Sequence, residues 1–278
     1  MSGRLEFAGK TAVITGAASG IGRALAFALA ERDCNLALAD INEDALREVA
    51  NALASNERKV TATRVDVGRR GDIADFADTV RAEHGEAHLL FNNAGVAAGG
   101  TFEELSEETF EWLVGINFWG PIRMTRAFLP LMHASGDGHI TNVSSIFGVI
   151  APAGQTAYSA SKFGVRGFSD ALRHELAGSD ISVTTVHPGG VNTNIAKSAR
   201  VSDSASEEDI EAGLKQAAQN LVMPPSEAAG IILRGVERRK PRVLVGRDAH
   251  LLHWLERLMP SSYWGLMARR LGRAKAED

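Results

Sequence analysis

The sequence predicts an α/β protein: seven parallel strands in a doubly wound sheet, forming a single domain with a helical extension at its C-terminus. Two observations carry this. From residue 10 to residue 246, short β-branched runs alternate with stretches of helical period, the pattern of a parallel sheet covered on both faces. The 278 residues are also 45% hydrophobic and 23% charged, which supplies a sizeable core without disulfides or metals.

Lys10 to Gly16 is a β-branched run closed by glycine and forms the first strand; Ile21 to Arg32 repeats apolar residues at helical spacing and forms the first helix. Asn35 to Asp40 with Glu43 to Asn56, and Lys59 to Asp66 with Asp72 to His84, repeat the strand–helix unit. Ala87 to Phe91 is the fourth strand and runs into Asn92-Asn93-Ala94-Gly95. A long helical zone covers Glu107 to His133, with Pro130 near its end. His139 to Ser144 is the fifth strand, Ala157 to Ala177 the next helix, Ile181 to His187 the sixth strand and Arg242 to Gly246 the seventh. Two segments break the alternation. Asn192 to Pro225 is long and Ala/Ser-rich in its middle, so a lid is expected at about residues 192–225. A helical tail begins at Ala249, which divides the chain into 1–248 and 249–278.

Composition narrows the function. Residues 234–278 carry eleven Lys and Arg against five Asp and Glu, a local +6 in a chain of net charge −4. The remainder is therefore acidic, which argues against nucleic-acid binding. The N-terminus lacks the apolar run of a secretory signal, and no segment has the roughly 18 apolar residues of a spanning helix. A cytoplasmic protein is expected. Its one cysteine, Cys34, lies in an apolar stretch and reads as a core residue. His250 and His253 stand one helical turn apart without a third ligand, so no metal site is expected.

Thr15-Gly16-Ala17-Ala18-Ser19-Gly20-Ile21-Gly22 ends the first strand and opens the first helix. Glycines at such a junction let the backbone approach a pyrophosphate, while the helix N-terminus offers unpaired N–H groups. Alone, the cluster describes an ordinary strand–helix turn equally well. Its place at the head of a βαβ unit, with Asp40 ending the second strand, favours the phosphate. A carboxylate at Asp40 accepts hydrogen bonds from ribose hydroxyls and repels a 2′-phosphate, which points to NAD, with NADP as the alternative. The other reading makes Asp40 the cap of the following helix, a task Asn42 can also perform.

Tyr158 and Lys162 stand four apart at the start of a helix and share one face. A phenol with a pKa near ~10 is a poor base at neutral pH. A lysine ammonium about 4 Å away contributes roughly 4 kcal/mol at an effective dielectric near 20, about three pKa units. A phenol depressed by that amount is expected, as a tyrosinate base requires. Tyr-x-x-x-Lys by itself is common; here Ser145 precedes the tyrosine by thirteen positions. The chain also carries Thr15 to Gly22, Asp66-Val67, Asn92 to Gly95, Asn117, Ser144-Ser145, Tyr158 to Lys162 and Pro188-Gly189 in one order. Over about residues 8–246 the sequence resembles the classical short-chain dehydrogenase/reductase family.

The resemblance implies a Rossmann-type fold and an oxidoreductase acting on CH–OH groups, interconverting a secondary alcohol and a ketone by direct hydride transfer. It makes Tyr158 the acid/base, Lys162 the residue that lowers its pKa and binds the nicotinamide ribose, and Ser145 the group that orients the substrate oxygen. Asn117 holds a water linking Lys162 to solvent. The cofactor set is Gly16, Ser19, Gly20, Ile21, Gly22, Asp40, Asp66, Val67, Asn93, Ala94, Gly95, Tyr158, Lys162, Pro188, Gly189, Val191 and Thr193, with Asp66 on adenine and Thr193 on the carboxamide. It implies a homodimer or homotetramer through the helices at Glu107–His133 and Ala157–Ala177. A non-enzymatic scaffold on this fold would lack one of the four catalytic positions; all four are filled.

The substrate pocket falls between Ile146-Phe147-Gly148, Gly189-Gly190-Val191 and the lid, which supplies Ile195, Ile210, Leu214, Leu221 and Val222. With no arginine beside Ser145 or Tyr158, a lipophilic alcohol or ketone is expected. His187 reads as a strand-end histidine. In the tail, Leu251, Trp254, Leu255 and Leu258 follow helical spacing, as do Trp264, Met267, Ala268 and Leu271 after Pro260, with Arg269, Arg270 and Arg273 opposite. Such a helix either packs on protein or makes a peripheral contact with an anionic membrane surface.

Overall fold

The computed structural model describes residues 3–202 and 205–270. The chain builds its sheet from the centre outward. β1 (Thr11–Thr15), α1 (Gly20–Ala30), β2 (Asn35–Asp40), α2 (Glu43–Leu53) and β3 (Val60–Arg64) run to one edge. After α3 (Arg70–His84), β4 (Leu89–Asn92) returns to the free side of β1. The other half follows with β5 (Ala98–Gly99), α4 (Glu107–Val114), α5 (Gly120–Ser135), β6 (Gly138–Val143), α6 (Thr156–Glu175) and β7 (Ile181–Pro188). The chain then adds β8 (Arg200–Val201), α7 (Glu207–Asn220), α8 (Pro225–Glu237), β9 (Arg242–Val245), α9 (Arg247–Leu258) and α10 (Tyr263–Arg270). The main sheet has seven strands in the order β3-β2-β1-β4-β6-β7-β9, all parallel, as expected.

The order in which strands are added reverses at the β1–β4 boundary, so the loops after these two strands part and leave a crevice at their C-terminal ends. Neighbours on one strand face opposite layers. Ile14 packs with Leu25, Leu29 and Ile232, whereas Val13 packs with Phe76, Leu90 and Phe128. Both faces are covered, which is why these strands are unbroken apolar runs.

The structure departs from the sequence reading in three places. The single helix expected from Glu107 is two, joined by a π-helical turn, Gly115–Trp119, that contains Asn117. The lid is partly ordered: β8 pairs with β5 in a second, two-stranded parallel sheet, and α7 follows. Its base is closed by Met223, which bridges to Val191. The boundary drawn at residue 248 falls inside α9, whose Ala249 is fully buried.

The tail's rotation also differs. Leu252 packs inward with Ala249, while Leu251, Trp254 and Leu258 of the expected stripe face outward. The reason is a long-range contact: Asp248 Oδ2 accepts from Gly190 N at 2.6 Å and fixes the start of α9 against the loop after β7. In α10, Met267 packs as expected, with Tyr263 beside it. Leu271 and Arg273 lie outside the described residues, as do the side chains of Arg269 and Arg270.

Candidate active site

Turns after β1, β4, β6 and β7 open into one cavity of about 2650 Å³, larger than the roughly 300–1,000 Å³ of a typical small-ligand pocket. Gly16, Ser19, Gly20, Ile21, Asp40, Asp66, Val67, Asn93, Ala94 and Gly95 line it, and so do Pro188, Gly189, Val191 and Thr193. Ser145, Tyr158 and Lys162 line the same cavity. Gly22 and Asn117 are the two expected site residues that do not, and each works from behind.

Gly22 allows α1 to sit on the end of β1. A Cβ there would stand 2.0 Å from Gly16 O, and Gly16 itself adopts φ +67° beneath Ala94. The turn is fastened from below: Thr15 Oγ1 accepts from both Asn93 N and Ala94 N at 3.1 Å. The result is a backbone cradle with the N-terminus of α1 directed at it and no side chain filling it, the form of a pyrophosphate site. The capping question at Asp40 resolves, since Asn42 caps α2 by accepting from Ala45 N. Asp40 instead accepts from Ala18 N at 2.9 Å and Asn42 N at 3.0 Å, joining the glycine turn to the end of β2. Asp66 holds its own turn, accepting from Gly68 N at 2.8 Å.

The opposite end of the cavity holds the polar centre. Helix α6 starts beside the turn after β6, so its first two turns deliver Tyr158 and Lys162 to the place where Ser145 ends that strand's extension. Ser145 Oγ accepts from Phe147 N at 3.1 Å and hydrogen-bonds the Tyr158 phenol. Phe147 packs its ring edge-on against Tyr158 at 6.2 Å. Lys162 is 3% exposed and donates to Val143 O at 3.1 Å. Its Nζ lies 5.6 Å from the centroid of the Tyr158 ring.

Asn117 ties these parts together. Its Oδ1 accepts from Val96 N at 2.8 Å, and its Nδ2 donates to Val96 O at 2.9 Å and Ser161 Oγ at 3.3 Å. The π-turn aims that amide inward, and Ser161 passes the tether to Tyr158 O at 2.7 Å.

The expected depression of the phenol is not found. Burial raises the Tyr158 pKa above its ordinary value, and the hydrogen bond with Ser145 only partly opposes this. Lys162 hydrogen-bonds a main-chain carbonyl instead of the phenol, and its own burial lowers it to about 8. The phenol is therefore protonated at neutral pH, a donor in its resting state.

Three contributors were not assigned to the site from the sequence. His187 is fully buried at the end of β7, and its Nδ1 lies 2.9 Å from Ser145 O. Because a carbonyl only accepts, Nδ1 carries the proton; burial holds the ring to about 4 and thus neutral. Asp248 braces the loop after β7, and Leu252, Trp264 and Met267 bring the tail to the cavity wall. The amphipathic pattern left open whether protein or a membrane surface meets the tail, and did not point to the cavity wall. Lys197 and Arg247 also line the cavity, and Arg200 stacks on Trp112 at 3.8 Å, holding the lid beside β5.

Residues 10–204 match the family model described as short chain dehydrogenase. The chain is 43% identical over 266 residues to the putative oxidoreductase SadH of Mycobacterium tuberculosis, with 95% of each covered. It is 31% identical over 296 residues to retinol dehydrogenase 10 of Xenopus tropicalis, covering 96% of this chain and 84% of that one. Among solved structures, a short-chain dehydrogenase/reductase from Burkholderia phymatum in complex with NAD superposes with a TM-score of 0.84 at 30% identity, covering 99% of both chains.

Lys162 gives the site a measurable pH signature. Below pH 8 the folded and unfolded chains both hold its proton; between about 8 and the ordinary 10.5, only the unfolded chain does. Raising the pH through that window therefore favours the folded state. The stability advantage of Lys162→Met over wild type is expected to fall by roughly 2 kcal/mol between pH 8 and pH 10, read from urea midpoints. A difference constant with pH would mean that Lys162 titrates at its ordinary value.

Proposed function

The chain belongs to the short-chain dehydrogenase family, an oxidoreductase family acting on CH–OH groups with a nicotinamide cofactor, and on that premise we propose that it interconverts a lipophilic secondary alcohol and its ketone. The observation that carries this reading is the convergence of Ser145, Tyr158 and buried Lys162 on one wall of a cavity whose other end is a glycine cradle that no side chain enters. The cradle fits a dinucleotide: Gly16, Ser19, Gly20 and Ile21 for the pyrophosphate, Asp40 for the adenosine ribose, and Asp66 and Val67 for adenine. Asn93 to Gly95, Pro188, Gly189, Val191 and Thr193 would complete the nicotinamide half. When bound, the nicotinamide supplies the two-electron acceptor or donor.

The chain's own residues handle the proton. In ketone reduction the Tyr158 phenol gives its Oη proton to the ketone oxygen; in oxidation it first loses that proton and then, as the phenolate, takes the carbinol proton. Ser145 donates to the same oxygen, which gains negative charge as the carbon is reduced. Lys162, still protonated at neutral pH, favours the phenolate electrostatically once the proton has left. Asn117 and Ser161 hold α6 at the angle this requires. A phenol protonated at rest suits ketone reduction near neutral pH.

Oxidation state aside, the substrate is read from the wall: Phe147, Ile195, Ile210 and Leu221 are apolar, and one relative is a retinol dehydrogenase. Trp119 and Phe163 stand exposed on the helical face read as the contact with a second copy. No helix among the described residues is long and apolar enough to cross a membrane. The outward face of α9, with Leu251, Trp254 and Leu258, is what an anionic membrane surface or that second copy would cover. Cys34, whose thiol donates to Phe7 O at 3.0 Å within the core, suits the reducing cytoplasm.

Tyr158→Phe is expected to lower kcat by about 10²–10⁴-fold while NAD(H) still raises the melting temperature; turnover within tenfold of wild type would remove Tyr158 from the chemistry. NAD(H) is expected to exceed NADP(H) in kcat/KM by more than about tenfold, because a 2′-phosphate would face the Asp40 carboxylate. Asp40→Ser should narrow that ratio, and an unchanged ratio would assign the preference elsewhere. Light scattering is expected to give a dimer or tetramer at micromolar concentration, against which a monomer would count. If α9 meets a membrane, the protein sediments with anionic vesicles and salt releases it; if it meets protein, vesicles leave it in the supernatant.

A further inference from the structure

Ser145 is held through its main chain as well as through its hydroxyl. Its carbonyl accepts from Gly148 N at 2.9 Å, closing the short 3₁₀ turn Ile146–Gly148, and also from His187 Nδ1 at 2.9 Å. The first bond lies within the turn, whereas the second ties the turn to β7, the strand beside β6. Against α6 the turn sits flush, since a Cβ on Gly148 would stand 2.7 Å from Lys162 O. Two groups that meet Tyr158 ride on it, the Ser145 hydroxyl and the Phe147 ring. His187 itself is fully buried, and its Nε2 has no hydrogen-bond partner among the described residues. Burial, and then the charges of Arg242 and Arg166, keep that second nitrogen unprotonated. A hydrocarbon side chain of similar size would fill the same space. What the imidazole adds is one N–H aimed at the Ser145 carbonyl.

We propose that His187 is a positioning residue: its Nδ1–H fixes the peptide that follows Ser145, and through it the angle at which the serine hydroxyl meets the Tyr158 phenol and the substrate oxygen. That role rests on the alcohol–ketone reading and deepens it. His187 touches neither the phenol nor the cavity, so it acts only through Ser145. Without its N–H the carbonyl keeps the bond from Gly148, which lies in the same turn and moves with it. The turn would then be free to rock on the sheet, carrying the Ser145 hydroxyl away from the line to Tyr158. Displacements of that kind cost rate rather than binding, because the serine's bond is strongest when the substrate oxygen is most negative.

Three variants of the full chain separate the nitrogen from the ring. His187→Phe keeps a ring without either nitrogen, His187→Asn places an amide where Nδ1 stands, and His187→Gln places one where Nε2 stands. With 2-decanol and NAD, His187→Phe is expected to lower kcat about ten- to a hundredfold while NAD affinity holds. His187→Asn is expected to recover most of that loss and His187→Gln little, so the pair still decides if the phenylalanine variant does not fold. Wild-type kcat in His187→Phe, or equal recovery by Asn and Gln, would overturn the proposal. A matching loss of NAD affinity would place the damage in the Pro188–Gly189 loop and overturn it too. A second readout needs no turnover. The chain has two tyrosines, and Tyr263 accepts from Ala151 N at 2.9 Å, farther along the loop that follows Ser145. In protein labelled with [13Cζ]tyrosine, His187→Phe is expected to move the Tyr158 resonance in the direction that Ser145→Ala moves it. His187→Asn should return it, and the Tyr263 resonance should stay in place throughout. Both resonances moving together would reduce His187 to general support of the loop and overturn its specific role. The expected Tyr158 shift, in a protein that turns over no 2-alkanol, would keep His187 as the residue that sets Ser145 and defeat the alcohol–ketone reading.

Discussion

A lysine that is 3% exposed, with its ammonium on the Val143 carbonyl, is the constraint from which the centre of this molecule can be understood. Burying a cation is costly unless polar groups surround it, and here the surroundings are the ends of the sheet. Gly95 is one consequence: a Cβ there would lie 3.2 Å from Asn117 Oδ1 and 3.4 Å from Lys162 Nζ, so a side chain at this position would press on both groups. The carbonyl at the end of β6, the amide of Asn117 and the bare backbone at residue 95 form one polar pocket under the cavity floor. Its cost to stability is the depressed lysine, and its yield is a positive charge near the phenol that solvent does not screen.

That pocket works only if α6 is held against it. The π-helical turn supplies the hold, since it turns Asn117 inward to meet both main-chain groups of Val96 and the hydroxyl of Ser161. Behind it a second buried network does the same for the sheet: Asn92 donates to Asn142 Oδ1 at 2.7 Å, and Asn142 donates to Ser169 Oγ at 2.9 Å. Two strands and the helix carrying Tyr158 are thereby locked at fixed spacing. In this arrangement the tail is a third brace, fixing the loops after β6 and β7 from outside.

How much of this was readable depends on the range of the interaction involved. The strands were legible because a sheet covered on both faces demands uninterrupted apolar runs such as Leu36 to Ala39. The glycine turn and the Tyr158–Lys162 spacing were legible because each is local: four residues on a helix share a face wherever it packs. The π-turn at Asn117 was not, since its sequence has ordinary helical character and the extra residue is accommodated by contacts with Val96 and Ser161, far along the chain. The rotation of α9 escaped for the same reason; a helical stripe can be drawn through either Leu251 or Leu252, and Asp248 on Gly190 favours the one through Leu252. The direction of the Tyr158 shift was misjudged because spacing reveals the nearby charge but not the burial, and burial prevails.

Carbinol-deuterated 2-decanol incubated with NAD and the protein in ordinary water tests the central claim most directly, with mass spectrometry of the recovered cofactor as the readout. Transfer at this centre predicts one deuterium on C4 of the reduced nicotinamide, formed by wild type and not by a variant lacking the Tyr158 hydroxyl. Reduced cofactor carrying only solvent hydrogen, or equal deuterium from the variant, would contradict it.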